Sequence, residues 1–273
     1  MNKFKAILTD FDGTLVNFDC QTGIGVDNLI QKIKNKGVHF SISTGRPCYK
    51  IMQDFLLEHK LSDVHIFHGG GLILNTSNNK ILWSSKPIDL LSLKMIVDYL
   101  KKARFFFALE TLKCAYLTEL LDVQMFGDKT QEKNLADFHY DQDVYKIMVS
   151  GRRNKLTEEK ADELIRTFKK QSNIINIFKF KSRNYFGLDI TSLSATKLSS
   201  LIEYAKILHI SPKKIIAIGN GDNDYPLFLA SGYKIAMSNS PKELQEVADL
   251  VVANDKNQGM KEALTKLLKK NFF

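Results

Sequence analysis

Asp10-Phe11-Asp12-Gly13-Thr14-Leu15 follows directly on the apolar run Ala6-Ile7-Leu8-Thr9. The run reads as a short buried strand, and the two acids stand just past its end. In an extended chain, residues i and i+2 share one face. The carboxyl ends of parallel strands are where open α/β sheets bind ligands. Gly13 permits a sharp turn immediately afterwards. Two close carboxylates repel, and a buried pair needs a cation or a shared proton. A hard divalent ion such as Mg²⁺ meets that need with oxygen ligands.

Outward from this stretch, strands and helices alternate. Val26, Leu29, Ile30 and Ile33 recur at helical spacing between Val26 and Lys36, and Gly37 ends the pattern. Val38 to Ile42 is a second strand, Pro47 to Glu58 a second helix with Pro47 in its first turn, and Val64 to Phe67 a third strand. This rhythm indicates βαβ units and a parallel sheet. It changes near Leu72, where two strand-like pieces flank Thr76-Ser77-Asn78-Asn79 and predict a hairpin. A mixed α+β order follows, with a weakly patterned stretch around Gly127–Asp143. The βα alternation resumes at Ser194. Ser240-Pro241-Lys242-Glu243 reads as a helix start with Ser240 as N-cap. The expected architecture is a Rossmann-like α/β core over 1–83 and 186–273, interrupted by an α+β cap over 84–185.

The chain has 273 residues, is 44% hydrophobic and 25% charged, and carries 15 Gly and 5 Pro, which excludes collagenous, low-complexity and wholly disordered classes. No apolar run approaches the roughly 20 residues of a membrane span. The short apolar stretch near the N-terminus lacks a cleavage site, so a cytoplasmic protein is expected. Three dispersed cysteines, Cys20, Cys48 and Cys114, build neither a disulfide framework nor a zinc site. His65 and His68 are three apart on a strand-like stretch, a spacing that places them on opposite faces rather than on one metal. The net charge of +9 is uneven, with eleven Lys or Arg against four Asp or Glu between Val144 and Arg183. Such a surface favours anions.

The acidic motif resembles the first motif of the haloacid dehalogenase superfamily, most of whose members are phosphatases. Ile42-Ser43-Thr44-Gly45-Arg46-Pro47 resembles the second motif, Lys197 the third, and Gly219-Asn220-Gly221-Asp222-Asn223-Asp224 the fourth. The insertion between the second and third resembles the C2 cap of the Cof-like (type IIB) branch, and the similarity covers essentially the whole chain. The resemblance implies that Asp10 is the nucleophile and Asp12 the general acid and base, with Thr44 and Lys197 completing the catalytic set. Thr44, Gly45, Arg46 and Lys197 would bind phosphate. Mg²⁺ would be held by Asp10, Asp12, Asn220, Asn223 and Asp224, and the lobe would close over the site.

Two departures from the family pattern stand out. Asn220 occupies a position where the family carries Asp, which predicts weaker metal binding unless Asp222 substitutes. Gly69-Gly70-Gly71 stands where relatives show Asn-Gly-Ala. Met237-Ser238-Asn239-Ser240 and Asn254-Asp255 match loops that flank the site in relatives, with Asn239 at most behind it.

The expected function is therefore an Mg²⁺-dependent phosphatase acting on small phosphorylated metabolites, sugar phosphates or phosphorylated cofactors, through an aspartyl-phosphate. A non-catalytic phospholigand-binding protein is the alternative, motivated by Asn220. A phosphomutase is disfavoured by the cap placement, and a dehalogenase by Asp12. No zinc finger, RNA-binding signature, Walker lysine loop or Gly-x-Gly-x-x-Gly after a strand is present. Neither nucleic acid nor membrane is expected as a partner.

Overall fold

The computed structural model describes residues 4–17, 20–120, 130–182, 184–253, 258–270 and 272–273. In chain order the first elements are β1 (Ala6–Thr9), α1 (Val26–Lys34), β2 (His39–Ile42), α2 (Lys50–Glu58), β3 (Val64–Phe67), β4 (Leu72–Asn75) and β5 (Lys80–Ser84). Next come α3 (Leu90–Lys102), β6 (Phe107–Glu110), β7 (Ala115–Leu117), β8 (Glu132–Asn134), β9 (Lys146–Val149), α4 (Gly151–Asn154), α5 (Glu158–Gln171), β10 (Ile175–Ser182) and β11 (Tyr185–Ser192). The last are α6 (Lys197–Ile207), β12 (Ile215–Gly219), α7 (Tyr225–Ala230), β13 (Tyr233–Met237), α8 (Lys242–Glu246), β14 (Leu250–Val252) and α9 (Gln258–Lys269). Two compact units result, one of 1–44, 56–83 and 197–273 and the other of 45–55 and 84–196.

The first unit is built on a parallel sheet in the order β14-β13-β12-β1-β2. All four residues of β1 are buried, as befits a strand covered on both faces. The register sets Thr9 beside Ile42 on one side and Ile218 on the other. Asp10, Ser43 and Gly219 therefore stand together at one edge of the sheet, the carboxyl edge. Leu201, Tyr204, Leu227, Phe228 and Leu244 from the helices pack on Ala6, Leu8, Ile215 and Ala217. Within this core the Ser41 hydroxyl and the Tyr204 phenol share a hydrogen bond of 2.7 Å.

The third strand differs from expectation. β3 does not extend the parallel sheet; it pairs antiparallel with β4 in a separate sheet, β3-β4-β5, and a parallel bridge joins its Ile66 to Ser43, just past the end of β2. The hairpin of β4 and β5 supplies that competing partner. His65 is buried in β3, its Nδ1 accepting from Ile42 N–H at 3.0 Å and its Nε2 donating to the Leu61 carbonyl. Burial lowers its pKa to about 4, so this histidine is a neutral structural brace.

The second unit has a sheet in the order β10-β11-β9-β6-β7-β8, antiparallel except for β7–β8. Alternation gives it two faces. Phe107, Leu109, Ile147, Val149, Leu188 and Ile190 pack with α3 and α5 through Leu93, Ile96, Val97, Leu164 and Phe168. On the other face Ala108, Ala115, Leu117 and Met148 meet Phe106 and Tyr49. Both helices are capped, α3 by Asp89 accepting from Ser92 N–H and α5 by Thr157 accepting from Lys160 N–H.

Three further expectations shift. β11 pairs with β9 and β10, so the chain stays in the second unit past residue 186. Pro47 precedes α2 rather than opening it, because the helix starts at Lys50. Ser240 does not cap α8: Pro241 is the N-cap residue, and no side chain caps the helix. Part of the weakly patterned stretch, residues 127–129, lies outside the described residues.

Tyr204→Phe strips a buried partner from Ser41 and is expected to lower stability by about 1–3 kcal/mol in urea unfolding. Adding Ser41→Ala should return part of that loss, because the orphaned hydroxyl goes with it; an additive double variant would show that the two groups do not depend on each other.

Candidate active site

Asp10 is the first residue beyond β1, and its N–H donates to the Ile218 carbonyl at 2.8 Å. The chain then turns within a few residues: Gly13 N–H donates to Val16 O at 2.9 Å, and Asp12 bridges Val16. Gly13 has φ +74°, and a Cβ there would lie 2.5 Å from the Asn220 side-chain nitrogen. The turn thus needs glycine both for its backbone and for the amide of Asn220 packed against it. Asp12 is exposed beyond the strand end.

Lys197 is the first residue of α6 and is 2% exposed. Its ammonium lies 2.6 Å from Asp10 Oδ1 and 2.6 Å from Asp224 Oδ1. The other Asp224 oxygen accepts from Asn220 N–H at 2.9 Å and Gly221 N–H at 3.0 Å. Gly219 lets this carboxylate approach, since a Cβ there would stand 2.5 Å from Asp224 Cγ. Residues 187 apart in sequence are thereby joined at one buried ion cluster. Asn223 is half-buried in the same loop, with its Oδ1 beside Gly221.

The electrostatics follow from burial. Removal from water pushes the Asp10 carboxyl up to about 7; Lys197 opposes this, while Asp224 and Asp12 add to it. Burial works to strip the Lys197 proton, but the two carboxylates outweigh it and its pKa is raised. Asp10 and Asp224 share the single ammonium of Lys197, and the Asp12 carboxylate is near enough to push the Asp10 pKa further up. That excess of negative charge and hard oxygen suits a divalent cation. Among the described residues no group of three or more His, Cys, Asp or Glu side chains is arranged to hold a metal by itself. A cation here therefore requires backbone or amide oxygens, which Asp12 and Asn220 possess. Asp224, with three donors on its oxygens, holds Lys197 and the 220–221 backbone.

Thr44 is buried two residues past Ile42 at the same sheet edge as Asp10. Its N–H donates to Ile66 O and its carbonyl accepts from Gly69 N–H, both at 3.0 Å. Gly69 and Gly70 have φ +67° and +102°, so the triple glycine serves the turn that reaches back to Thr44. The structure thus brings Asp10, Lys197, Asp224 and Asn220 into one cluster, with Asp12 and Thr44 at the same edge. Gly45 and Arg46 belong to the second unit, where Gly45 O accepts from Lys146 Nζ at 2.6 Å. Lys146, and its neighbours Glu110 and Asp189, escaped the sequence reading. Their signal is a charge on one face of an otherwise apolar strand.

The basic stretch is partly consumed internally. Lys179 lies 2.8 Å from both Glu158 and Asp162, Lys181 stands over the Phe186 ring, and Arg153 over Phe106. Asn239 is exposed. Arg183, Asn254 and Asp255 lie outside the described residues.

A family model described as haloacid dehalogenase-like hydrolase matches residues 7–264. Phosphatase YwpJ of Bacillus subtilis is 24% identical, with 97% of this chain and 100% of that protein aligned. The 5-amino-6-(5-phospho-D-ribitylamino)uracil phosphatase YwtE of the same organism is 25% identical over 97% of this chain and 98% of its own. Among solved structures, a haloacid dehalogenase-like hydrolase from B. subtilis superposes with a TM-score of 0.81 at 18% identity, covering 96% of this chain and 99% of that one. The subclass IIB sugar phosphatase BT4131 gives 0.77 at 18% identity, covering 98% and 100%.

Because burial raises the Asp10 pKa, the folded protein holds that proton where the unfolded chain has lost it. The stability it contributes is complete below the ordinary value of 3.8 and is lost as pH rises through about 7. Asp10→Asn has no proton to lose. In chelator, its melting temperature relative to the parent is expected to be higher at pH 8 than at pH 4; an offset independent of pH would contradict the raised pKa.

Proposed function

This chain belongs to the haloacid dehalogenase-like hydrolases, and from that premise we propose that it is a divalent-cation-dependent phosphatase of the Cof-like type, hydrolysing small phosphorylated metabolites through an aspartyl-phosphate. The carrying observation is the Lys197 ammonium held at 2.6 Å from both Asp10 and Asp224. The names of two matched relatives, a 5-amino-6-(5-phospho-D-ribitylamino)uracil phosphatase and a sugar phosphatase, support small phosphorylated metabolites as the substrate class.

Phosphate monoesters are inert, so hydrolysis needs a positioned nucleophile and charge neutralisation. Lys197 anchors Asp10 through Oδ1, which leaves Oδ2 as the attacking atom. A bond forms between Oδ2 and phosphorus as the bond to the leaving oxygen breaks, splitting one hard step into two. Asp12, exposed and two residues on, donates a proton to the leaving oxygen. It then takes one from the water that releases phosphate and regenerates Asp10. The Thr44 hydroxyl and the N–H groups of Gly45 and Arg46 hold phosphoryl oxygens. Lys197 contributes a fixed positive charge, and Asp224 fixes Lys197. Asp10, the Asp12 carbonyl and Asn220, with Asn223 beside them, are the proposed holders of Mg²⁺, which supplies screening between two anions. Asp224 is assigned to positioning because its oxygens already accept three hydrogen bonds. A cytoplasmic location belongs to the same reading.

Asp10→Asn is expected to cut Mg²⁺-dependent phosphate release from an aryl phosphate by about three orders of magnitude or more while circular dichroism stays unchanged. Near-normal turnover would remove Asp10 as nucleophile. A parent protein that binds phosphate yet releases none from any of a panel of phosphometabolites would favour the non-catalytic reading that Asn220 motivates. Asn220→Asp adds a charged ligand and is expected to lower the Mg²⁺ concentration for half-maximal rate about fivefold; an unchanged titration would mean that Asn220 is not a ligand.

A further inference from the structure

The buried face of the second unit's sheet carries an ion cluster outside the machinery described so far. Lys146 is 4% exposed and Glu110 fully buried. They are direct cross-strand partners on β9 and β6, with Lys146 Nζ 3.0 Å from Glu110 Oε1. Asp189 on β11 reaches the same ammonium at 3.5 Å. The shortest of the three contacts is to a backbone atom, the Gly45 carbonyl at 2.6 Å. A buried charge persists in a sheet only when it is paired, and one lysine between two carboxylates is costly to maintain. An apolar residue would pack this face with Met148 and Ala108 at no such cost. The cluster calls for a reason beyond packing.

We propose that Lys146 is a positioning residue for the phosphate-binding segment and acts by holding the Gly45 carbonyl. This rests on the reading of Thr44, Gly45 and Arg46 as the phosphate-binding stretch. A peptide unit is planar and trans, so its carbonyl and N–H point in opposite directions. Fixing the Gly45 oxygen on the ammonium fixes the direction of the Arg46 N–H. Gly45 is the residue of the segment with most freedom to lose, having no side chain. It has little room for one, since a Cβ would lie 3.3 Å from Asp189 Oδ2. Glu110 and Asp189 keep the lysine charged against burial and hold its Nζ in place. The segment has an independent anchor farther along: Tyr49 is buried against Phe106, Ala108 and Met148, and its hydroxyl donates to Thr111 O at 2.6 Å. Loss of Lys146 therefore leaves the segment docked and frees Gly45 alone. Lys146 touches neither substrate nor reacting atoms; it acts through the peptide it holds.

The test compares the parent protein, Lys146→Met and Lys146→Arg. It measures inorganic phosphate binding by calorimetry, and KM and kcat on an aryl phosphate with Mg²⁺. Losing an ammonium–carbonyl bond is expected to weaken phosphate binding and raise KM about tenfold, with kcat changed less than about threefold because the Asp10 cluster is untouched. Lys146→Arg keeps a charged donor and should recover part of the loss. If the single Met variant does not fold because Glu110 is left charged, Glu110→Gln with Lys146→Met removes both charges and carries the same expectation. A folded variant that binds phosphate as the parent does overturns the positioning role alone. A parent that neither binds phosphate nor hydrolyses the ester overturns the phosphatase reading and this role with it.

Discussion

One ammonium between two buried carboxylates organises the first unit. Lys197 has no water to fall back on, and neither do Asp10 and Asp224; each would be costly to bury alone. Their mutual contacts of 2.6 Å make the cost tolerable. They also tie the end of β1, the start of α6 and the loop after β12 into one place. The remaining arrangement serves that cluster. Gly219 lets Asp224 approach, and Asn220 and Gly221 satisfy its other oxygen. The register of β1 with β2 and β12 delivers all these groups to one edge of the sheet.

The second unit shows the same logic in a sheet. One face is a conventional apolar surface beneath α3 and α5, and the other mixes Ala, Met and aromatic contacts with the Lys146–Glu110–Asp189 cluster. The cluster spans three adjacent strands. Its ammonium leaves the sheet through one short bond to the Gly45 carbonyl. Both units thus place a buried lysine where it fixes a neighbour's geometry: a carboxylate in one, a peptide plane in the other.

Much of this was legible in the sequence because local signals agreed. The apolar run before Asp10, the glycine after Asp12, and the helix opening at Lys197 each have a local cause, and the four motifs in order name the fold. Where tertiary context competed, the reading shifted. Val64–Phe67 has the pattern of a buried strand, but pattern alone does not say which edge it pairs with, and its neighbour Leu72–Asn75 claimed it. Tyr185–Ser192 could join either sheet by its sequence, and it paired with β9 and β10. Ser240 had the composition of a cap, yet Pro241 took that place.

The sequence by itself determined the class of fold, the identity of the acidic turn, and the set of groups available for phosphate chemistry, because these depend on periodicity, turn stereochemistry and residue type. Only the tertiary structure decided which groups meet. It assigned Asp224 to Lys197, set the Asn220 amide against Gly13, and joined Lys146 to Gly45. Such pairings are set by strand register and the relief of buried charge, which link residues far apart in the chain and leave no local trace.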